Sequence, residues 1–161
     1  MPCEGAQLLK PDAALGNFTQ YVNAGGRAFA THFSYTWLFE NGAFANAVQW
    51  MAMRGGFNDS ATLVANIDTT FQKGADFQAW LQLTGALSSL MPPQITIAEP
   101  RTDVTAVPPM AGAQRWIYAD TPASVQHFTV DTPVGSAPTD ACGRVVFSDF
   151  HVLNARTNGK V

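Results

Sequence analysis

Leu15, Phe18, Tyr21 and Val22 follow one another at i, i+3, i+6 and i+7, a spacing that predicts a helix with one apolar face. Asp12, behind Pro11, is the expected N-cap. Gly25-Gly26 is the expected stop, because glycine accepts the left-handed backbone that ends helices. Arg27 to Thr31 then reads as a short buried strand, with His32 directly after it. Phe33 to Phe39 is aromatic-rich and predicted helical, Asn41-Gly42 breaks it, and Ala43 to Met53 is expected to add a helical turn or two. Gly55 to Ser60 reads as a loop. Thr62 to Ile67 reads as a strand, Asp76 to Leu87 as an amphipathic helix carrying Phe77, Trp80, Leu81 and Leu87, and Ile95 to Ile97 as a short strand. Pro100 to Gly112 reads as a Pro-rich loop. Arg115 to Tyr118, Ser124 to Val130 and Arg144 to Phe150 are three further strands, the last rich in β-formers through Val145, Val146 and Phe147. Helices alternate with strands at both ends around a more β-like middle, with no internal repeat. That pattern predicts an α/β fold with a small mixed sheet, built as a single domain over 1–161.

Composition narrows the function classes. Hydrophobic residues make up 47% of the 161 residues, which excludes a disordered chain. Charged residues make up only 13%, about half the usual ~25%, so Ser, Thr, Asn, Gln and Gly must cover the surface. The 9 basic residues are scattered and outnumbered by 12 acidic ones, which argues against a nucleic-acid partner. No apolar run approaches the ~18–20 residues that span a bilayer, and the opening residues, with no charged n-region and no apolar h-region, are not expected to be a signal peptide. The low-charge, Thr/Asn/Gln-rich surface suits an extracytoplasmic parent. Met1-Pro2-Cys3-Glu4-Gly5 reads as a strand end and a turn, so the chain is expected to begin inside a longer ancestral frame.

The chemistry gathers at strand ends. Ligands of open α/β sheets bind outside the carboxyl ends of the strands. Cys3-Glu4, His32 and His151 each follow a predicted strand end, and Asp149 lies beside the last. Together they would make a crevice of one Cys, two His and two carboxylates. Such a set serves either of two chemistries. Cys3 as nucleophile, His151 as general base and Glu4 or Asp149 as its orienter form a hydrolase triad, with His32 assisting as acid or electrophile where a helix begins. Alternatively, Cys3, His32 and His151 are zinc ligands around an activated water. Cys142 precedes a strand and is expected at the far edge as a structural residue. His127 lies mid-strand and reads as a face residue. Tyr35 and Trp37, aromatic with polar handles, are candidates to line a substrate or sugar pocket, with core packing as the alternative.

The run Tyr21-Val22-Asn23-Ala24-Gly25-Gly26-Arg27-Ala28-Phe29-Ala30-Thr31-His32 resembles the class I glutamine amidotransferase-like superfamily, and within it the ThuA-like (trehalose-utilisation-type) branch. There a Gly-Gly turn feeds a buried strand that ends in a sharp elbow carrying the site residue. The resemblance implies a flavodoxin-like sheet with flanking helices. His32 stands at the elbow where amidotransferases carry Cys, so glutamine hydrolysis is not implied. The closing Gly143-Arg144-Val145-Val146-Phe147-Ser148-Asp149-Phe150-His151 resembles the strand that delivers the superfamily's catalytic His, which maps to His151. The likeness covers about residues 1–40 and 140–152. The family's usual first strand and helix are absent, which implies an exposed sheet edge and a homodimer formed through it.

The resulting expectation is a small hydrolase of carboxylic or phosphoric esters that needs no cofactor. A zinc-dependent hydrolase on the same residues is the alternative, and a non-catalytic carbohydrate- or small-molecule-binding module of a larger secreted protein is the third reading.

Overall fold

The structure, a computed structural model, describes residues 5–51, 62–109 and 112–150. Its first helix, α1 (Asp12–Asn23), buries Leu15, Phe18 and Val22. Tyr21 falls off that stripe, since six positions is not a whole number of 3.6-residue turns. It is 57% exposed, and its hydroxyl donates to the Arg27 carbonyl at 3.3 Å. The N-cap is Pro11 rather than Asp12, whose carboxylate instead sits in the first turn against the helix dipole. The stop is a Schellman motif. Gly25, at φ +98°, donates to the Val22 carbonyl at 3.2 Å, and Gly26 donates to the Tyr21 carbonyl at 3.0 Å. A Cβ on Gly26 would strike the Tyr21 ring, so the dipeptide serves both conformation and close approach.

The chain then runs through β1 (Arg27–Thr31), a 3-10 turn (His32–Tyr35), α2 (Thr36–Phe39), β2 (Gln49–Trp50), β3 (Thr62–Ile67), α3 (Gln72–Leu83), β4 (Gln94–Ala98), β5 (Val104–Ala106), β6 (Ala113–Asp120), β7 (Ala123–Thr132) and β8 (Gly143–Ser148). Six strands form one mixed sheet in the order β1-β8-β7-β6-β3-β4, and β2 pairs with β5 separately. Helix α3 begins four residues earlier than its apolar pattern suggests (Gln72, not Asp76). Asn41 to Ala47 forms turns, and β2 replaces the helical turns expected there. β5 arises inside the segment read as a Pro-rich loop.

An α/β architecture with a mixed sheet is present. The pairing differs from that of a flavodoxin-like sheet. Only β1 and β8 run parallel, and the other four pairings are antiparallel. The cause is local. Thr121-Pro122 joins β6 to β7 in two residues, and a connection that short can only return the chain antiparallel.

The core lies in two parts. Phe18, Val22, Ala30, Tyr35, Leu38, Phe44, Phe128, Val145 and Phe147 pack α1 and α2 onto the β1-β8-β7 half. Leu63, Ala65, Ile67, Leu81, Ile97 and Ile117 pack α3 onto the β6-β3-β4 half. Register shifts along β6 against β7, between Arg115 and Tyr118, separate the halves. Such bulges bend a sheet and let its two ends bury different faces.

Candidate active site at the β1 and β8 strand ends

Thr31 lies opposite Ser148 in the parallel pair, so His32 and Asp149 leave the sheet side by side. Thr31 is extended at φ −135°, while His32 turns to φ +52°. The chain thus reverses direction sharply at His32. A non-glycine residue there costs about 1 kcal/mol or more, and such strain gathers at functional sites. The His32 ring is 3% exposed and meets the Phe33 ring edge-on, with centroids 4.4 Å apart. His32 itself opens the 3-10 turn, and with α2 it replaces the helix expected over Phe33 to Phe39 by two four-residue pieces too short for a strong dipole.

Beneath the elbow lies a polar cluster. Arg101 is 4% exposed, with its guanidinium 4.5 Å from the Phe33 ring centroid. Its Nε and Nη2 donate to the two Asp103 carboxylate oxygens at 2.5 and 2.9 Å, a bidentate fork. The Asp103 N–H donates to Asp149 Oδ2 at 2.8 Å. The Asp149 main chain is held as well: its N–H donates to the Gln126 carbonyl, and its carbonyl accepts from the Arg101 N–H, both at 2.8 Å. Gln126 Nε2 donates to the Arg101 carbonyl at 2.8 Å and to Ser124 Oγ at 3.1 Å. Asp149 Oδ1 and Gln126 Oε1 are buried with no hydrogen-bond partner among the described residues.

Burial, reinforced by the Asp103 charge, holds the Asp149 carboxyl well above the usual carboxylate range. Burial and Asp103 likewise push the Tyr35 phenol up to about 12, so it stays neutral across the physiological range.

The sequence-derived site residues fare differently. His32 and Asp149 are brought together at one sheet edge. Cys3, Glu4 and His151 lie outside the described residues. Tyr35 is fully buried, with its ring centroid 6.1 Å from Phe39 and 6.4 Å from Trp50, and it belongs to the core rather than to an open pocket. Trp37 is half-buried against Phe18 at 5.7 Å, with Lys10 Nζ 5.3 Å from its ring. Of the zinc set only His32 is described, and among the described residues no three His, Cys, Asp or Glu side chains converge. Cys142 lies at the opposite end of β8, exposed, with its Sγ 3.1 Å from the Asn23 carbonyl. His127 is a part-buried strand residue whose Nδ1 lies 2.8 Å from Ser148 Oγ.

Arg101, Asp103 and Gln126 were not legible as site residues. Their one trace in the sequence is an Arg and an Asp two apart in a chain that spends few charges. No family model matches the chain, and neither does any curated protein or solved structure.

Proposed function

We propose that the β1 and β8 strand ends form the reaction site of a small hydrolase acting on carboxylic or phosphoric esters. The observation that carries this reading is the strained His32 elbow beside Asp149 at the end of the parallel pair. The reading also draws on the resemblance of the Tyr21–His32 run to class I glutamine amidotransferase-like, ThuA-like domains. Cys3 is the nucleophile and His151 its general base. Asp149 Oδ1, buried without a partner among the described residues, is the oxygen that orients an imidazole, becoming an acceptor once the carboxyl has released its proton. Glu4 is the other orienter, and His32 assists the leaving group as acid.

The test is turnover of nitrophenyl acetate, butyrate and phosphate by the purified protein, with metal content measured on the same sample. Cys142 is exposed, so alkylation is done in a Cys142→Ser background. Expected are loss of turnover on alkylation and a fall of about 100-fold or more in kcat/KM for His151→Ala. Unchanged turnover in Cys3→Ala would sink the nucleophile role. Stoichiometric zinc with chelator-sensitive turnover would replace this reading by one in which Cys3, His32 and His151 hold the metal.

The protein is further proposed to form a homodimer through β1, which pairs only with β8 among the described residues and carries Phe29 46% exposed. A monodisperse monomer in light scattering would contradict this.

A further inference from the structure

We propose that a cleft on the opposite half of the sheet binds a neutral saccharide. The cleft measures about 390 Å³, within the size range of small-ligand sites. It lies over a row of residues across three strands. Gln94 on β4 is in register with Asn66 on β3, and Asn66 with Tyr118 on β6. Asp120 follows two residues on, on the same face, and Pro92 and Pro93 close one side.

The hydrogen-bond order in this row is fixed. Asp120 can only accept, so Asn66 must turn its Nδ2 toward it, and does so at 3.1 Å. Asn66 Oδ1 is thereby turned to Gln94, whose Nε2 donates to it at 2.9 Å. Each amide keeps one further N–H, while Gln94 Oε1 and Asp120 Oδ1 remain as acceptors. Donors and acceptors thus alternate along the row in a set order. Vicinal hydroxyls of a sugar, each both donor and acceptor, are complementary to that order. Pro92 and Pro93 offer apolar surface for the sugar's C–H face.

Charge argues for a neutral ligand. The residues lining the cleft include one carboxylate and no Lys, Arg or His. The nearby Arg115 lies over the Tyr118 ring at 3.6 Å and is already paired with Asp68 at 2.9 Å. An anionic ligand would meet Asp120 with no cation among the described lining residues to offset it.

The site stands apart from the hydrolase reading and is tested separately. Tetrasaccharides of glucose, xylose and N-acetylglucosamine, with tetragalacturonate as the anionic control, are titrated into the full chain by calorimetry and saturation-transfer NMR. At least one neutral saccharide is expected to bind with a Kd of about 1 mM or tighter. Asp120→Asn, which removes the fixed end of the relay without changing its size, is expected to weaken that binding about tenfold at unchanged Tm, and Asn66→Ala to abolish it. No binding of any neutral saccharide at about ten times that concentration would overturn the proposal. So would preference for tetragalacturonate, or affinity unaltered in both variants. A His32 variant that loses ester turnover but keeps saccharide affinity would separate the two sites.

Discussion

The main-chain N–H of Asp103 donates to Asp149 Oδ2 at 2.8 Å inside a region where both residues are fully buried. With the Arg101 N–H donated to the Asp149 carbonyl, it ties the end of β8 to the segment that carries the Arg101–Asp103 pair. The Asp103 carboxylate holds Arg101, Arg101 covers the Phe33 ring, and Phe33 packs against His32. Shape at the elbow thus depends on charges buried below it.

Removing one member of the buried pair should be costly. Arg101→Met leaves the Asp103 carboxylate without the guanidinium fork, and Asp103→Asn takes that carboxylate away from Arg101. Each is expected to destabilise by about 3–5 kcal/mol in urea unfolding. The double variant Arg101→Met/Asp103→Leu should be closer to wild type than either single one, because an apolar pair removes both charges together.

Asp149 should make the protein less stable as pH rises. Below the ordinary carboxylate range both folded and unfolded chains hold its proton. As pH climbs through about 4, the unfolded chain releases it while the folded chain keeps it, since burial and Asp103 raise the folded pKa. This contribution is therefore fully present in acid and is lost as pH rises toward the folded pKa. Asp149→Asn should flatten that limb of a Tm-against-pH curve. An identical slope in the variant would refute the assignment.

His127 acts on the acid side with the opposite sign. Burial lowers its pKa to about 4, against about 6.5 in the unfolded chain. Stability is complete above 6.5 and falls as pH drops from there to about 4, by up to about 3 kcal/mol. Asp68 adds to the acid limb. Burial pushes its pKa up, but hydrogen bonds from Thr70 and Arg115 outweigh this and leave it below the ordinary range. Its stabilisation is lost as pH falls through that lowered value. Replacing His127 with Gln should remove the upper part of the acid limb in thermal melts between pH 7 and 4.

Gly143 is the tightest junction between α1 and the sheet. A Cβ there would strike the Val22 carbonyl and Thr132 Oγ1, which already donates to that carbonyl at 2.8 Å. Gly143→Ala should cost about 1–3 kcal/mol in chemical denaturation. Gly42→Ala, with nothing near its Cβ, should lie within about 0.5 kcal/mol of wild type.

Much of the candidate edge could be read along the chain. The Gly25-Gly26 stop, the strand Arg27–Thr31 and the final strand are set by local rules: glycine tolerance, β-propensity and periodicity. The aromatics show the limit. Tyr35 and Trp37 look alike in sequence, yet one is sealed in the core and the other half-buried. Periodicity gives the spacing of such residues, but only the packing of the 3-10 turn and α2 into the core decides which of them meet solvent.

The sequence by itself determined α1 with its Gly25-Gly26 stop, most strands of the main sheet and a composition sparing in charge, but not β2 or β5, which stand where helical turns and a loop were expected. Tertiary structure alone decided that β1 runs parallel to β8, that Arg101 and Asp103 pass beneath Asp149, and that Gln94, Asn66 and Asp120 form one relay. Each of these joins residues tens of positions apart. Their partners are chosen by which strands pair and in what register, and no local pattern of residues encodes that choice.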